Sequence, residues 1–282
     1  MKSKDIILKT ADLPAVPHVA TKILDLIEDE NASLEDLKKA IMADQSLTTR
    51  ILKIANSAFY NVRQNVDTIS DAISIVGLNT IKSITLAVST REIYKSYGII
   101  EQKLWEHSMG VSVAAGVIAG EVPFIKKEEA VVAGLLHDIG KVVMNNSQPE
   151  KFSMLINAVH EEGAPFSKIE LDYFEYSHAE AGFVLAEKWG FTEVLANTIL
   201  GHHCWNGPGA VSGKDPYTRS LCLIIALADA LCAKLGLGYR GPVGFDLGEE
   251  TLREQLKISS EQLEGIISMF KNDYIHEKMF FV

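Results

Sequence analysis

Apolar residues recur at helical spacing along nearly the whole chain, and nowhere do they alternate convincingly with period two. That pattern commits the backbone to amphipathic helices packed on one another and leaves little from which to build a sheet. Near the N-terminus Val19, Ile23, Leu24 and Ile27 share one face. Ser33 and Asp36 form a capping box that opens a helix with Leu34, Leu37, Ile41 and Met42 inward. Asp44 caps the next, which carries Leu47, Ile51, Leu52 and Ile54. Thr68 with Asp71 caps a third, burying Ile69, Ala72, Ile73 and Val76 before Gly77 ends it. Asn79 starts another with Ile81, Ile84 and Val88, so the first stretch predicts a compact bundle or a right-angled helical array.

A break falls at Tyr97-Gly98. Helices are expected from Leu104 to Ala119, from Glu129 to Leu136, and around 150–162, 167–175, 178–189, 193–202 and 219–236. Glycine-rich loops lie between Gly207 and Gly213 and between Gly236 and Gly248, ahead of a last helix of Leu263, Ile266, Ile267 and Phe270. The fold class is therefore all-α. The expected divisions are an N-terminal helical bundle over 1–96, a helical domain over 97–240 and a C-terminal helical extension over 241–282.

With 37 acidic and 27 basic residues the chain has a net charge of −10, which disfavours direct nucleic-acid binding and anionic membranes. The three cysteines, Cys204, Cys222 and Cys232, form no C-x-x-C pair, which fits a reducing compartment rather than a disulfide framework or thiolate zinc site. The N-terminal segment lacks the apolar core of a signal peptide, and no run reaches the roughly 18 uninterrupted apolar residues of a membrane span. A cytoplasmic location is expected.

The chemistry gathers in the C-terminal half. The run Gly134-Leu-Leu-His137-Asp138-Ile-Gly140-Lys141 puts a His-Asp pair after an apolar helix. Neighbouring side chains diverge within a helix, but at its end both can turn toward one metal. Asp229 stands inside the apolar run Ile224 to Cys232, where a carboxylate needs an ion, a metal or a hydrogen-bond partner. His202 and His203 end another apolar segment, His107 lies between Trp105 and Met109, and His178 begins a helix. Singly, each has a plainer reading: a cap, a surface pair or a core histidine, and His18 after Pro17 keeps a cap or surface role. Jointly they are seven nitrogen and oxygen donors on separate helices, including five of the eight histidines. Such a set suits two divalent transition ions, iron, manganese, zinc or nickel.

The C-terminal half resembles the HD superfamily of metal-dependent phosphohydrolases, whose hallmark pair stands here as His137-Asp138. Residues 10–240 resemble the HDOD family, a bacterial signalling and regulatory domain related to those enzymes. The resemblance rests on Asp44-Gln-Ser-Leu-Thr-Thr-Arg-Ile-Leu-Lys-Ile-Ala-Asn56-Ser-Ala-Phe-Tyr60, then Ile69-Ser-Asp-Ala-Ile73 and Val76-Gly77-Leu78. It implies an all-helical fold with an HD-type second domain.

The ligand order of the related HD-GYP phosphodiesterases, which hydrolyse cyclic di-GMP, matches His107, His137, Asp138, His178, His202, His203 and Asp229. Lys141 matches their phosphate-contacting lysine, which makes Lys141 and Asp138 the candidate catalytic residues. The segment after the paired histidines reads Cys204-Trp-Asn-Gly207-Pro208-Gly209 instead of the Gly-Tyr-Pro signature, a departure that speaks against cyclic di-GMP. Lys103 stands where some relatives carry an additional glutamate ligand, which speaks against a third ion. Two functions follow from the resemblance. One is a regulatory protein that keeps its metal site and answers a signalling partner or a small phosphorylated ligand. The other is a metal-dependent phosphohydrolase or phosphodiesterase acting on a nucleotide.

Overall fold

A computed structural model describes residues 2–11, 13, 18–29, 32–56, 66–77, 81, 85, 98–204, 215–238 and 247–281. The described residues form helices and no strand. The chain divides into two compact units: Met1–Ala15 with Tyr94–Ser268, and Val16–Ile93 with Met269–Val282.

The second unit contains α2 (His18–Glu28), α3 (Leu34–Met42), α4 (Gln45–Ala55) and α5 (Ile69–Val76). Ser33 and Asp36 complete the expected capping box, and Asp44 Oδ1 accepts from Leu47 N at 2.9 Å. Asn56 joins α4 to the stretch before α5 by pairing both ways with the Val66 backbone, at 2.6 and 2.7 Å. Leu37, Ile41, Leu47, Ile51, Ile69, Ala72 and Ile73 share one core with Ile23 and Ile81. Leu34 and Met42 do not join it: they are 52% and 61% exposed, and Ala40 takes the inward place on α3. They flank the helix ends, where the apolar stripe has turned away from the core. The helix expected to start at Asn79, with Ile84 and Val88, lies outside the described residues.

The first unit opens with α1 (Lys2–Thr10), a helix that the sequence analysis missed, whose Ile7 is fully buried. It continues with α6 (Ile99–Ala119), α7 (Lys127–Leu136), α8 (Ile139–Ser147), α9 (Pro149–Glu162) and α10 (Phe166–Tyr173). Then follow α11 (His178–Lys188), α12 (Glu193–Gly201), α13 (Pro216–Lys234) and α14 (Glu249–Gln255). The last helix, α15 (Ser260–Phe281), runs from the first unit into the second. Helix α6 starts five residues earlier than expected, because Glu101 caps the backbone N–H of Gly98 at 2.8 Å and accepts from Asn145 Nδ2 at 2.7 Å. Helices α8 and α14 were not anticipated either.

Helix α13 is long and apolar enough to cross a membrane by composition, yet it is a core helix here, with Leu221 to Ala228 all buried. It packs against α6 and α12, and α7 lies against both α6 and α13. Two glycines let helices touch at their backbones. A Cβ on Gly134 of α7 would stand 2.8 Å from Ser112 Cα of α6. A Cβ on Gly140 of α8 would stand 1.8 Å from the carbonyl oxygen of His178, at the start of α11.

Candidate metal centre

The seven donors singled out in the sequence converge inside the first unit, each held at or near a helix end or in a core helix. They fall into two groups whose ligand atoms lie within 4.8 Å of one another: Asp138, His178, His202 and His203, and His107, His137 and Asp229.

The chain breaks between α7 and α8 at His137-Asp138, and that break points both side chains the same way. His137 is the C-cap of α7 and Asp138 the N-cap of α8. An aspartate at an N-cap ordinarily accepts from the first free backbone N–H groups of its helix. Asp138 makes no such bond. Its Oδ2 instead accepts from Lys141 Nζ at 2.6 Å and lies 3.4 Å from His137 Nε2 and 3.7 Å from His107 Nε2. Its Oδ1 lies 3.2 Å from His178 Nε2 and 3.8 Å from His202 Nε2. Each oxygen of one buried carboxylate thus faces a different pair of imidazoles.

The ring tautomers follow from the opposite nitrogens. Nδ1–H of His137 donates to Gly134 O at 2.7 Å, and Nδ1–H of His202 to Ile199 O at 2.6 Å. Both bonds reach back three residues to a carbonyl in the last turn of the helix, where carbonyls lack intrahelical donors. Nδ1–H of His107 donates to Leu237 O at 3.1 Å, and Nδ1–H of His178 to Glu170 Oε2 at 2.7 Å. A carbonyl or carboxylate oxygen can only accept, so the neutral rings carry their proton on Nδ1 and aim the Nε2 lone pair into the cluster.

Lone pairs meeting lone pairs need a cation between them. His178 Nε2 is 3.3 Å from His202 Nε2 and 3.1 Å from His203 Nε2, and His107 Nε2 is 3.0 Å from Asp229 Oδ1. His137 Nε2 and Asp138 Oδ1 are buried without a well-oriented hydrogen bond. In the protein alone a proton fills part of this gap. Burial disfavours a charged His178, but the Glu170 carboxylate outweighs it and pushes the pKa up to about 9. Burial and the neighbouring His178 push His203 down to about 4, and burial with His203 pushes His202 well below its usual range. Burial also works against ionised Asp138 and Asp229. His137 and Lys141 nevertheless hold Asp138 well below the usual carboxylate range, and His107 does the same for Asp229. Two carboxylates kept ionised among imidazoles whose Nε2 atoms face them are a donor set that fits divalent transition ions.

Sequence reasoning missed Glu170. This acid is 1% exposed on α10, and its Oε2 accepts from both the backbone N–H and Nδ1–H of His178, each at 2.7 Å. Burial opposes its charge, but His178 holds its pKa below the ordinary value. Its position two residues after exposed Lys168 in an otherwise unremarkable helix carries no local signal. Lys103 pairs with Glu106 at 2.6 Å, and His18 is exposed at the start of α2. Trp205 and the loop through Gly209 lie outside the described residues.

A cavity of about 420 Å³ opens on the cluster, lined by His107, His202, His203 and Asp229 and by Lys141. Lys141 Nζ also lies 4.7 Å from the centre of the Phe166 ring, which forms part of the same wall.

A family model described as the HDOD domain matches residues 13–205. Among solved structures, an HDOD domain protein of unknown function from Geobacter sulfurreducens is 27% identical with a TM-score of 0.74, covering 99% of this chain and 97% of that one. Among curated proteins, an uncharacterized protein of Treponema pallidum is 29% identical over 195 residues, 68% of this chain and 38% of its own length. Ribonuclease Y of Listeria welshimeri is 28% identical over 202 residues, 70% of this chain and 31% of its own length. The chain thus spans about a third of the length of these curated relatives.

Proposed function

The chain belongs to the HDOD domain family, and we propose that it is a signal-transduction or regulatory protein that retains an HD-type dinuclear metal site. His178, His202 and His203 would hold one ion and His107, His137 and Asp229 the other, with Asp138 giving one oxygen to each. The observation that carries this reading is the set of four imidazoles whose Nδ1 atoms are committed to acceptors while their Nε2 atoms surround one buried carboxylate. Iron, manganese, zinc and nickel all suit these donors. Three free thiols support a reducing, cytoplasmic setting for it. A signalling protein or a small phosphorylated ligand would supply its input.

Elemental analysis of protein made in metal-replete medium tests the reading. Close to two ions per chain are expected, and less than a few tenths of an ion would refute it.

A second reading, a metal-dependent phosphohydrolase or phosphodiesterase, is favoured by Lys141 and by the cavity that opens on the cluster. Bound ions would supply Lewis acidity toward a phosphoryl oxygen and a hydroxide at neutral pH. Lys141, already 2.6 Å from Asp138, would neutralise charge on the phosphate, and Asp138 would orient it. Assays of bis-p-nitrophenyl phosphate and cyclic di-GMP with each metal separate the two readings. Turnover that is lost in Lys141→Ala supports the enzyme, and no turnover at full metal loading supports the regulator.

A further inference from the structure

Of the four imidazoles that surround Asp138, three find an acceptor for Nδ1–H nearby in the chain. His137 and His202 are C-caps and reach back three residues to carbonyls that their own helices leave free. His178 starts α11 and takes Glu170, eight residues earlier. His107 has neither means. It stands inside α6, where the carbonyls are already acceptors of intrahelical bonds. Its acceptor is Leu237 O, at 3.1 Å and 130 residues further along the chain.

The end of α13 is shaped to deliver that oxygen. Gly236 adopts φ +73°, its N–H donates to Ala233 O at 3.1 Å, and Leu237 N–H donates to Cys232 O at 3.0 Å. This pair of bonds is a Schellman motif, which stops the helix and turns the chain. Leu237 O then lies past the helix and faces His107. Gly238 follows at φ +113°, where an L side chain is strained, and is buried against the same imidazole. A Cβ on Gly238 would stand 3.1 Å from His107 Cβ and 3.4 Å from its Nδ1. About two turns before Gly236, the same helix brings Asp229 Oδ1 to 3.0 Å from the other ring nitrogen, Nε2. One helix and its terminal turn thus hold His107 from both edges, and both lie beyond residues 13–205, which the HDOD model matches. We propose that the turn Gly236-Leu237-Gly238 is the positioning element of His107, and that it sets occupancy of the ion position formed by His107, His137 and Asp229 without governing the other. The ion rests on the dinuclear reading; the placement of the ring does not.

The test pairs metal content of the full chain, after dialysis against a weak chelator, with nitrogen-15 NMR of the His107 ring in metal-free protein. Wild type is expected to keep about two ions and to show His107 protonated on Nδ1. Gly238→Ala should weaken one ion by roughly tenfold or more, leave the other, and turn the His107 signal into a mixture of tautomers. Gly163→Ala is the comparison, because Gly163 has φ +61° but nothing within 4 Å of an added Cβ, so backbone strain acts there alone; both ions should stay. Should Gly238→Ala fail to fold, Gly236→Ala carries the same expectation, with rescue by Gly236→Asn, since asparagine enters the left-handed region more readily. Two ions and an unchanged His107 signal in Gly238→Ala or Gly236→Ala, loss of both ions together, or equal loss in Gly163→Ala would each overturn the proposal and leave the metal-site reading standing. Wild type without ions sinks the metal-site reading and the occupancy half of the proposal, and the His107 signal then decides the positioning half by itself.

Discussion

Gly140→Ala tests whether the close approach of α8 and α11 builds the site. The added Cβ would stand 1.8 Å from the carbonyl oxygen of His178 and 2.7 Å from Gly182 N, both backbone atoms with no rotamer to change. To reach an ordinary contact of about 3.4 Å the two helices must separate by roughly 1.5 Å. Asp138 stands at the N-terminal end of one of them and His178 begins the other, and their Oδ1 and Nε2 atoms are only 3.2 Å apart. Overpacking of this kind costs about 1–3 kcal/mol or more. At roughly 2–4 °C per kcal/mol for a chain of this size, Tm should fall by about 2–12 °C. The displaced donors should also lower metal affinity by at least about tenfold. Gly182→Ala is the comparison: its Cβ would meet Ile199 Cγ2 at 2.7 Å but the nearest backbone atom, Gly140 N, only at 3.3 Å, so the backbones need not part as far and its losses should be smaller. Thermal melts and metal titrations of both variants give the answer. A Gly140→Ala protein that melts with wild type and carries its full metal complement would refute the reasoning, as would equal losses in the two variants.

Asp138→Ala should remove both ions and His178→Ala chiefly one, since each Asp138 oxygen faces a different donor group; elemental analysis that finds equal loss in both would count against a bridging role. Glu170→Gln should lower metal affinity by roughly 10–100-fold while the fold persists, because the amide oxygen can still accept from the His178 backbone N–H and Nδ1–H but no longer supplies the negative charge that raises the imidazole's basicity. NMR of the His178 ring would report the change, and an unaltered affinity would dismiss the role. The pH dependence follows from His178, whose pKa is raised from 6.5 to about 9 in the folded, metal-free protein. A raised pKa means that its stabilising contribution is complete below about 6.5 and is lost as pH rises to about 9. Metal-free protein should therefore lose stability across that window, and metal uptake near pH 7.5 should release about one proton per chain from this residue. Metal binding that is independent of pH between 6.5 and 9 would contradict this.

The helical class and the donor residues were legible because both write themselves locally. Capping pairs such as Ser33 with Asp36 announce a helix start, and a carboxylate like Asp229 inside an apolar run stands out against its neighbours. Boundaries were less legible. Helix α6 begins at Ile99 rather than Leu104 because buried Glu101 is satisfied by Asn145, a partner far away in sequence. Leu34 and Met42 were expected inward because they share helical spacing with Leu37 and Ile41, but the pattern does not say how wide a stripe the core will accept. Glu170 escaped notice for the same reason: its meaning comes from His178 across a turn, and nothing around it differs from a solvated acid. The two grouped halves of the donor set were likewise invisible, since only folding decides which imidazole faces which oxygen of Asp138.

Helix α10 has only eight residues, yet it serves two places at once. Its first turn presents Phe166 and Lys168 to the cavity, and one turn on from Phe166, Glu170 grips both the main chain and the ring of His178. Two turns of one helix thus carry both a wall of the cavity and the support of an imidazole in the cluster, so a substitution at the rim stands a single helical turn from the acid that orients His178.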